Sequence, residues 1–273
     1  MRTLKDLFAA VFRPVVFASQ QRTLLRGFIS REIKGRYAGT MAGVSWTLVN
    51  PLTTLLIYMF LFSIVLRVQV TAEETGTDSF FIYFATGFVP WIMFSEGINR
   101  ATNCLLENAG LITKVIFPVE LLPVTAVLSG MLINILGLGL LMAYLGWHGF
   151  GDPSWVWVVA LLPVQFLFTL GLGLLFSAVS VYLRDVTEFI NILLMVWFFA
   201  TPIIYPLSLV PNFFTSLIQL NPMYMFVTLY RNILIRHHVD ALLFIQAFLV
   251  SLLVYSLGSL FFAKVKPGFG DVL

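Results

Sequence analysis

The chain has 273 residues, of which 59% are apolar and 11% charged, and its formal net charge at pH 7 is +3. An average soluble domain is roughly 45–50% apolar and about 25% charged. This composition excludes a soluble enzyme and predicts an all-α polytopic membrane protein. The length accommodates six spanning helices of about 20 residues each with short loops, and little remains for a separate soluble domain.

The first 40 residues predict a cytoplasmic amphipathic region along the membrane surface, and residues 41–273 predict the transmembrane domain. Apolar residues recur at helical spacing up to Pro14, which ends a first short helix. In the basic stretch that follows, an apolar face is opposed by Arg31, Lys34 and Arg36, with Tyr37 next. The alternative is a solvated positive tail. Because no apolar run with a small-residue cleavage site occurs here, we expect this region to remain in the mature protein.

Six apolar stretches predict the spanning helices. They cover residues 44–66, 80–98, 119–145, 155–183, 186–204 and 241–263. Gly87 and Pro90 are expected to interrupt the second stretch, an acidic loop precedes it, and residues 99–118 are more polar. If both termini are cytoplasmic, all Lys and Arg residues except Arg67, Arg231 and Arg236 fall in cytoplasmic segments. This asymmetry predicts that orientation.

Residues 202–236 do not fit a simple hairpin between spanning helices. The apolar pieces at 207–220 and 223–235, separated by Pro222, are too short to cross a bilayer. Their length is typical of half-helices that enter the membrane and return, a structure tolerated only against protein or a water-filled cavity. We therefore predict re-entrant helices at the external face. The alternative is an external loop with surface helices.

No energy source for transport is visible in the chain itself. It has no G-x-x-x-x-G-K-[ST] motif to bind nucleotide phosphates. The spans are nearly free of ionisable residues, and the exception, Glu96, has Arg100 one turn later. Glu96 is then either paired with Arg100 or part of a transport pathway. Energy is therefore expected to enter through another subunit.

Residues 108–118 have the form of an element on which such a subunit would act. Leu111, Ile112 and Val115 repeat at helical spacing in a region expected to face the cytoplasm. Gly110 precedes them and Pro118 begins or kinks the next helix. The alternative is a helix end that packs on its own neighbours.

The remaining candidate residues are aromatic or small. Tyr58, Trp197 and Phe198 lie inside predicted spans, where their rings would either stack on the sugars of a moving polymer or face lipid. Small residues spaced around Gly130 and Gly171 predict close helix packing, within one subunit or between two. No Cys/His cluster suggests a metal site.

Several motifs occur in a fixed order along the chain. The first group is Arg31-Glu-Ile-Lys-Gly-Arg-Tyr37, Gly43-Val-Ser-Trp46 and Asn50-Pro51. The second is Gly87-x-x-Pro90-Trp91-x-x-Phe94, Asn108-x-Gly-Leu-Ile-Thr-Lys-Val-x-Phe-Pro118 and Glu120-x-x-Pro123. The third is Arg184-Asp185, Thr201-Pro202-Ile-Ile-Tyr205-Pro206, Asn221-Pro222 and Arg231. Together they resemble the ABC-2 type permeases that export polysaccharides or teichoic acids.

This resemblance implies a homodimeric channel with six helices per subunit, driven by two copies of a separate ATP-binding protein. ATP and magnesium would bind to that partner, and this chain would carry no cofactor or catalytic site. The cargo would be a lipid-linked polysaccharide of the O-antigen, capsule or teichoic acid type, moved across the bacterial cytoplasmic membrane. Lipids are expected partners and nucleic acids are not.

The resemblance also assigns roles to particular residues. The coupling helix, seated in the ATP-binding partner, would include Leu111, Ile112, Lys114, Val115 and Phe117. The basic N-terminal helix would lie at the cytoplasmic interface. The external gate would include the residues Pro202, Tyr205, Pro206, Asn221 and Pro222.

Three other functions remain open. An exporter of small molecules or drugs from the same superfamily would have a narrower cavity. A membrane-embedded glycosyltransferase would need acidic residues near a membrane face. Asp185 and Glu188 are a close acidic pair, and Arg184 beside them predicts a loop salt bridge instead. A passive channel would not need an apolar cytoplasmic element.

Overall fold

The computed structural model describes residues 20–36, 43–114 and 117–273, together with Pro14 and Met41 as isolated positions. Within these ranges the chain is built from helices, with no β-strand. They are α1 (Arg22–Arg36), α2 (Trp46–Met59), α3 (Ala72–Thr75), α4 (Phe80–Glu107), α5 (Ala109–Lys114), α6 (Leu121–Trp147), α7 (Val156–Tyr182), α8 (Val186–Phe199), α9 (Asn212–Gln219), α10 (Pro222–Leu234), α11 (Ala241–Val265) and α12 (Phe269–Val272).

Four helical stretches are long and apolar enough to cross a membrane. They are Ala72–Glu107, Leu121–Trp147, Pro153–Tyr182 and Ala241–Val272. Two shorter apolar helices, Val49–Val65 and Val186–Phe199, coincide with the first and fifth predicted spans. A multi-pass, all-helical protein is therefore confirmed for the part of the chain that the structure describes, whereas six complete crossings remain a prediction.

Two of the predicted spans differ from the helices that form. The expected interruption of the second span is wrong, because α4 runs unbroken through Gly87 and Pro90 to Glu107. At Pro90 the side chain of Gln165 on α7 donates a hydrogen bond to the proline carbonyl at 2.8 Å. In contrast, α8 ends at Phe199, before the predicted boundary, because a residue that precedes a proline, here Thr201, is disfavoured in a helix.

The core of the bundle lies around α4, which contacts α2, α6, α7, α8 and α10. Close approaches between helices occur at glycines, as the small-residue spacing predicted. A Cβ atom on Gly258 of α11 would lie 1.9 Å from the carbonyl oxygen of Gly171 on α7. One on Gly130 of α6 would lie 3.2 Å from the backbone of Gly97 on α4. These crossings are within one chain, so the small residues serve packing inside the subunit.

The basic N-terminal region is described only in part. Helix α1 packs against α6, with Leu25 and Phe28 against the buried core. Lys34 is exposed and Arg36 ends α1. The short helix predicted before Pro14 and the residue Tyr37 lie outside the described residues.

Candidate functional site

Because α4 runs the full length of the bundle, we call the two ends of the molecule the Phe80 end and the Glu107 end. Helices α6, α7 and α11 also connect these ends. The predicted gate residues lie toward the Phe80 end, and the predicted coupling residues lie at the Glu107 end.

Residues 200–206, which follow α8 and precede the short helices α9 and α10, form an irregular stretch that we call the bent segment. It has turns and bends without a regular helix, so several carbonyl groups in and just before it have no partner within a helix. Side chains supply those partners. The Tyr205 hydroxyl donates to the Phe199 carbonyl at 2.8 Å, and the Tyr83 hydroxyl on α4 donates to the Tyr205 carbonyl at 2.7 Å.

Asn221 connects the bent segment to the start of α10. Its amide nitrogen donates to the Thr201 hydroxyl at 2.9 Å and to the Ala200 carbonyl at 3.3 Å. Its amide oxygen accepts from the Trp197 indole at 2.6 Å and from the Met223 backbone at 2.9 Å, so it also caps α10. This one side chain therefore joins α8, the bent segment and α10.

Helices α9 and α10 form a hairpin that begins and ends at the Phe80 end. Before α9, the Ser208 backbone donates to the Glu74 carboxylate at 3.2 Å, and at the last residue of α10 the Trp155 indole donates to the Leu234 carbonyl at 3.3 Å. The turn between the helices lies deeper, because Phe226 near the start of α10 contacts Phe168 in the middle of α7, with ring centroids 5.5 Å apart.

Arg231 of α10 is the strongest feature that the sequence analysis left without a role. It was expected in an external segment, yet it is only 9% exposed, and its guanidinium donates to the carbonyls of Pro202, Ile203 and Tyr83 at 2.8–3.2 Å. A charged residue within a mostly apolar helix was the available signal. Of the predicted gate residues, Pro202 contacts Arg231 directly and buried Pro206 lines the same cavity. Tyr205 is joined to it through Tyr83, whereas Asn221 and Pro222 lie at the other end of α10, where Asn221 bonds Thr201.

At the Glu107 end an ion-pair network joins α1 to α4. Arg100 donates to Glu96, as the spacing predicted, and also to Glu32 of α1, both at 2.7 Å. Arg31 donates to the Asn108 side chain at 2.7 Å. Arg31, predicted as a membrane-interface residue, therefore holds α1 to the junction of α4 and α5.

The predicted coupling residues divide between two environments. Ile112 and Phe117 pack against the buried core, and the Phe117 ring lies 5.3 Å from that of Phe28 on α1. Lys114 is exposed and Leu111 is half-buried. Val115 lies outside the described residues. The exposed surface of α5 is consequently narrower than the predicted coupling helix.

The C-terminal segment packs beside α5. The Lys266 ammonium donates to both carboxylate oxygens of Glu120 at 2.8 Å, and Glu120 is 2% exposed. Helix α12 contacts α5 and α7, with Phe269 buried against the rings of Tyr182 and Phe262. Sequence reasoning missed this pair, although one of the motifs contained Glu120.

Between α2, α4, α6 and α8 lies a cavity of about 460 Å³, which we call the central cavity. Tyr58, Trp91 and Phe198 line it, with ring centroids of Phe198 5.5 Å from Tyr58 and 5.6 Å from Trp91. Two of the three predicted channel-lining residues thus face this cavity. The third, Trp197, packs against Trp91 and Phe94 and lines a separate apolar cleft beside α9.

The central cavity also carries polar groups and adjoins a second cavity at the Glu107 end. Asn50, Thr54 and Asn134 contribute amide and hydroxyl groups. The second cavity, of about 640 Å³, lies between α1, α4 and α6 and shares Glu96 and Asn99 with the first. Glu96 is therefore both paired with Arg100 and part of the cavity wall.

The described residues contain no group of three His, Cys, Asp or Glu side chains that would hold a metal ion. Within the described part of the chain, the loop salt bridge expected between Arg184 and the acids Asp185 or Glu188 does not form. Both acids are exposed beside the start of α8.

The sequence matches the ABC-2 type transporter family over residues 23–235. It is 34% identical to an O-antigen export system permease protein RfbA from Myxococcus xanthus, over 80% of this chain and 82% of that protein. It is 27% identical to a protein of the same name from Klebsiella pneumoniae, over 92% of this chain and 95% of that protein. The polysialic acid transport protein KpsM of Escherichia coli is 24% identical, over 78% of this chain and 81% of that protein.

Proposed function

This chain belongs to the ABC-2 type transporter family, and we propose that it is the membrane-spanning permease subunit of an exporter for a lipid-linked polysaccharide. The observation that carries the proposal is the agreement among its relatives, whose names specify O-antigen export or polysialic acid transport. Both named cargoes are polysaccharides. The proposed cargo is accordingly a glycan of the O-antigen or capsule type.

Energy in this proposal comes from a separate ATP-binding protein, which binds ATP and magnesium, and two copies of it act on a homodimer of this chain. The absence of a phosphate-binding loop from the sequence supports this division. The exposed surface of α5, with Lys114 on it and Leu111 half-buried beside it, is the proposed contact with the ATP-binding partner. The chain itself is then a transport subunit and not an enzyme.

The proposed topology has six membrane segments in the bacterial cytoplasmic membrane, with both termini in the cytoplasm. The four long helices form four of them, α2 together with the π-helical stretch Phe60–Val65 that follows it forms the first, and α8 forms the fifth. With 14 residues α8 is only about 21 Å long, so the bent segment would complete its crossing. The Glu107 end, which carries Arg31, Lys114, Arg184 and Lys266, is then cytoplasmic, in agreement with the charge asymmetry.

At the opposite face, the bent segment and the α9–α10 hairpin form the proposed external gate. The hydrogen bonds from Ser208 and Trp155 support a re-entrant hairpin, because they hold both of its ends at the Phe80 end while Phe226 reaches the middle of α7. Irregular backbone at such a depth requires satisfied carbonyl groups. Tyr83, Asn221 and Arg231 provide that satisfaction here.

The central cavity is the proposed path of the glycan. Aromatic rings bind the C–H faces of sugars without fixing one register, and the nearby amides and hydroxyls provide exchangeable hydrogen bonds. A wall that combines Tyr58, Trp91 and Phe198 with Asn50, Thr54 and Asn134 suits a polymer that moves through it. Two copies of the chain would have to enclose the cavity for the path to be closed to lipid.

Deletion of the gene in its native host tests this proposal. We expect loss of one surface polysaccharide and accumulation of the lipid-linked form on the cytoplasmic side, both restored by the intact gene. Purification of the chain from membranes should also recover an ATP-binding protein. Normal surface glycan in the deletion strain would disprove the proposed function.

A further inference from the structure

Arg231 is a buried cation whose charge has no carboxylate partner. It is 9% exposed, and no carboxylate within the described ranges forms an ion pair with it. Its guanidinium instead lies 3.7 Å from the centre of the Tyr83 ring and donates only to backbone carbonyls. Such a residue is costly to bury, so its contacts indicate a specific role.

The carbonyls that it contacts belong to two different parts of the molecule. Nη1 donates to Pro202 at 2.8 Å and Nη2 to Ile203 at 3.1 Å, both in the bent segment. Nη2 also donates to Tyr83 of α4 at 3.2 Å. Because the guanidinium is planar and its N–H groups diverge in a fixed fork, one rigid side chain fixes the position of the bent segment relative to α4.

Helix α4 is shaped to receive this side chain. A Cβ atom on Gly87 would lie 2.8 Å from Nη2 of Arg231, so the glycine leaves the space that the guanidinium occupies. Tyr83, one turn earlier, contributes its ring face to the cation and its hydroxyl to the Tyr205 carbonyl. The Gly87 motif on α4 and Arg231 on α10 are therefore parts of one contact.

The contact does not satisfy every donor of the guanidinium group. In the described structure the Nε atom of Arg231 is buried without a hydrogen-bond partner. Arg231 lines a cavity of about 230 Å³ with the polar side chains of Tyr224, Thr228 and Asn232, and with Glu74 and Arg236, neither of which bonds it. If the bent segment moved away, water that entered this cavity would hydrate the guanidinium and offset the carbonyl contacts that are lost.

We propose that Arg231 is the positioning residue that holds the bent segment closed against α4, and that the external gate opens when these carbonyl contacts break. The inference rests on the proposed function only where it describes the bent segment as the external gate of an exporter. The contact itself is testable without it. Because α4 continues unbroken from Tyr83 to the junction with α5, a movement at the coupling surface would reach the contact through a single helix.

The test measures how fast a buried thiol in the bent segment reacts. In a Cys104→Ala background, which removes the only native cysteine, Ile204→Cys places a thiol at a site that is 4% exposed. The detergent-solubilised chain is treated with a polar maleimide, so orientation in a membrane does not matter. Addition of Arg231→Met should raise the labelling rate at least tenfold, and Arg231→Lys should give an intermediate rate because its ammonium cannot reproduce the planar fork.

Two controls separate a local opening from loss of the fold. Arg236→Met removes an exposed arginine from the same cavity and should leave labelling unchanged. Leu145→Cys, a fully buried site at the same end of the bundle, should stay unlabelled in every variant. Unchanged labelling at position 204 in Arg231→Met, or equal increases at positions 204 and 145, would overturn the proposal. Failure of the glycan assay would affect only the proposed function.

Discussion

The two ends of the bundle are held together by different kinds of contact. At the Phe80 end, Tyr83, Asn221 and Arg231 donate to main-chain carbonyls of the bent segment. At the Glu107 end, carboxylates pair with cations, as in Glu32–Arg100 and Glu120–Lys266. Irregular backbone in apolar surroundings needs donors aimed at fixed points, whereas helix ends near water can be joined by ion pairs of more tolerant geometry.

This difference predicts how substitutions at the two ends should behave. Changes around the bent segment should depend strongly on the exact side chain and should have large effects, because carbonyls are left buried without donors. Changes at the Glu107 end should be smaller and sensitive to salt, since Arg100, Glu32 and Lys266 are partly exposed, although Glu120 is buried. Four variants test this difference between the two ends, and they are ordered from the largest expected loss of stability to the smallest.

Asn221→Asp should have the largest effect on stability. The shape is retained, but the donor to the Thr201 hydroxyl and the Ala200 carbonyl becomes an acceptor that faces another acceptor. We expect a loss of about 2–3 kcal/mol, the upper part of the range for a polar group left without its partner, because Thr201 is buried although Asn221 itself is half-buried. The measurement is the thermal unfolding of the purified chain in detergent.

Asn212→Asp is the matched control for this variant. Asn212 is exposed at the first position of α9, where a carboxylate is favourable. Its unfolding midpoint should therefore be unchanged or slightly higher. Equal losses in the two variants would mean that the hydrogen bonds of Asn221 do not distinguish the Phe80 end.

The long helices could be predicted from the sequence because the bilayer sets their length. The predicted spans 119–145, 155–183 and 241–263 correspond to α6, α7 and α11, with boundaries shifted by at most two residues. Proline also indicated where α8 gives way to irregular backbone, although the predicted span continued beyond it. The lengths of these helices and the end of α8 depend on the local amino-acid composition, so they can be read from a single sequence.

The contacts that hold the site together could not be predicted in the same way. Arg231 bonds a carbonyl 148 residues earlier, and nothing in the spacing of either residue indicates that separation. The side of α5 that packs against the core was not predicted either, because a helix of six residues is too short for periodicity to show where Ile112 lies. Only the three-dimensional arrangement separates Ile112 from the exposed Lys114.

Lys266→Met should have the second largest effect. It leaves the carboxylate of Glu120, which is 2% exposed, without the ammonium 2.8 Å away. Because Lys266 itself is partly exposed, we expect a loss of about 1–3 kcal/mol, below the value for a fully buried pair. Addition of Glu120→Gln should recover part of this loss, because the buried charge is then removed as well.

Lys264→Met provides the comparison for Lys266→Met, since Lys264 is exposed two residues earlier. Thermal unfolding should not distinguish it from the parent chain. If Glu120→Gln lowered the stability of the Lys266→Met variant further, the pair would not act as a unit, and the ion-pair description of the Glu107 end would be wrong.

Glu32→Gln should have a still smaller effect. Arg100 keeps its contact with Glu96 when the carboxylate on α1 is neutralised. Exposed or half-exposed pairs contribute about 0.2–1 kcal/mol. The loss should shrink further when unfolding is measured at about 1 M salt, because screening then acts within roughly 3 Å. A loss as large as that of Asn221→Asp would remove the proposed contrast between the ends.

Lys114→Glu should change the stability least and transport most. The side chain is exposed on α5, and surface substitutions of this kind alter stability by about 0.5 kcal/mol or less. If α5 is the contact with the ATP-binding partner, reversal of its charge should weaken co-purification about tenfold, equivalent to about 1.4 kcal/mol, and surface glycan should fall with it. Lys264→Glu, an exposed reversal at the same end, should affect neither quantity. Normal partner binding by Lys114→Glu would assign the coupling contact to another surface, such as the neighbouring α12. The contacts that stabilise the Glu107 end would then be distinct from the surface that receives energy from the ATP-binding partner.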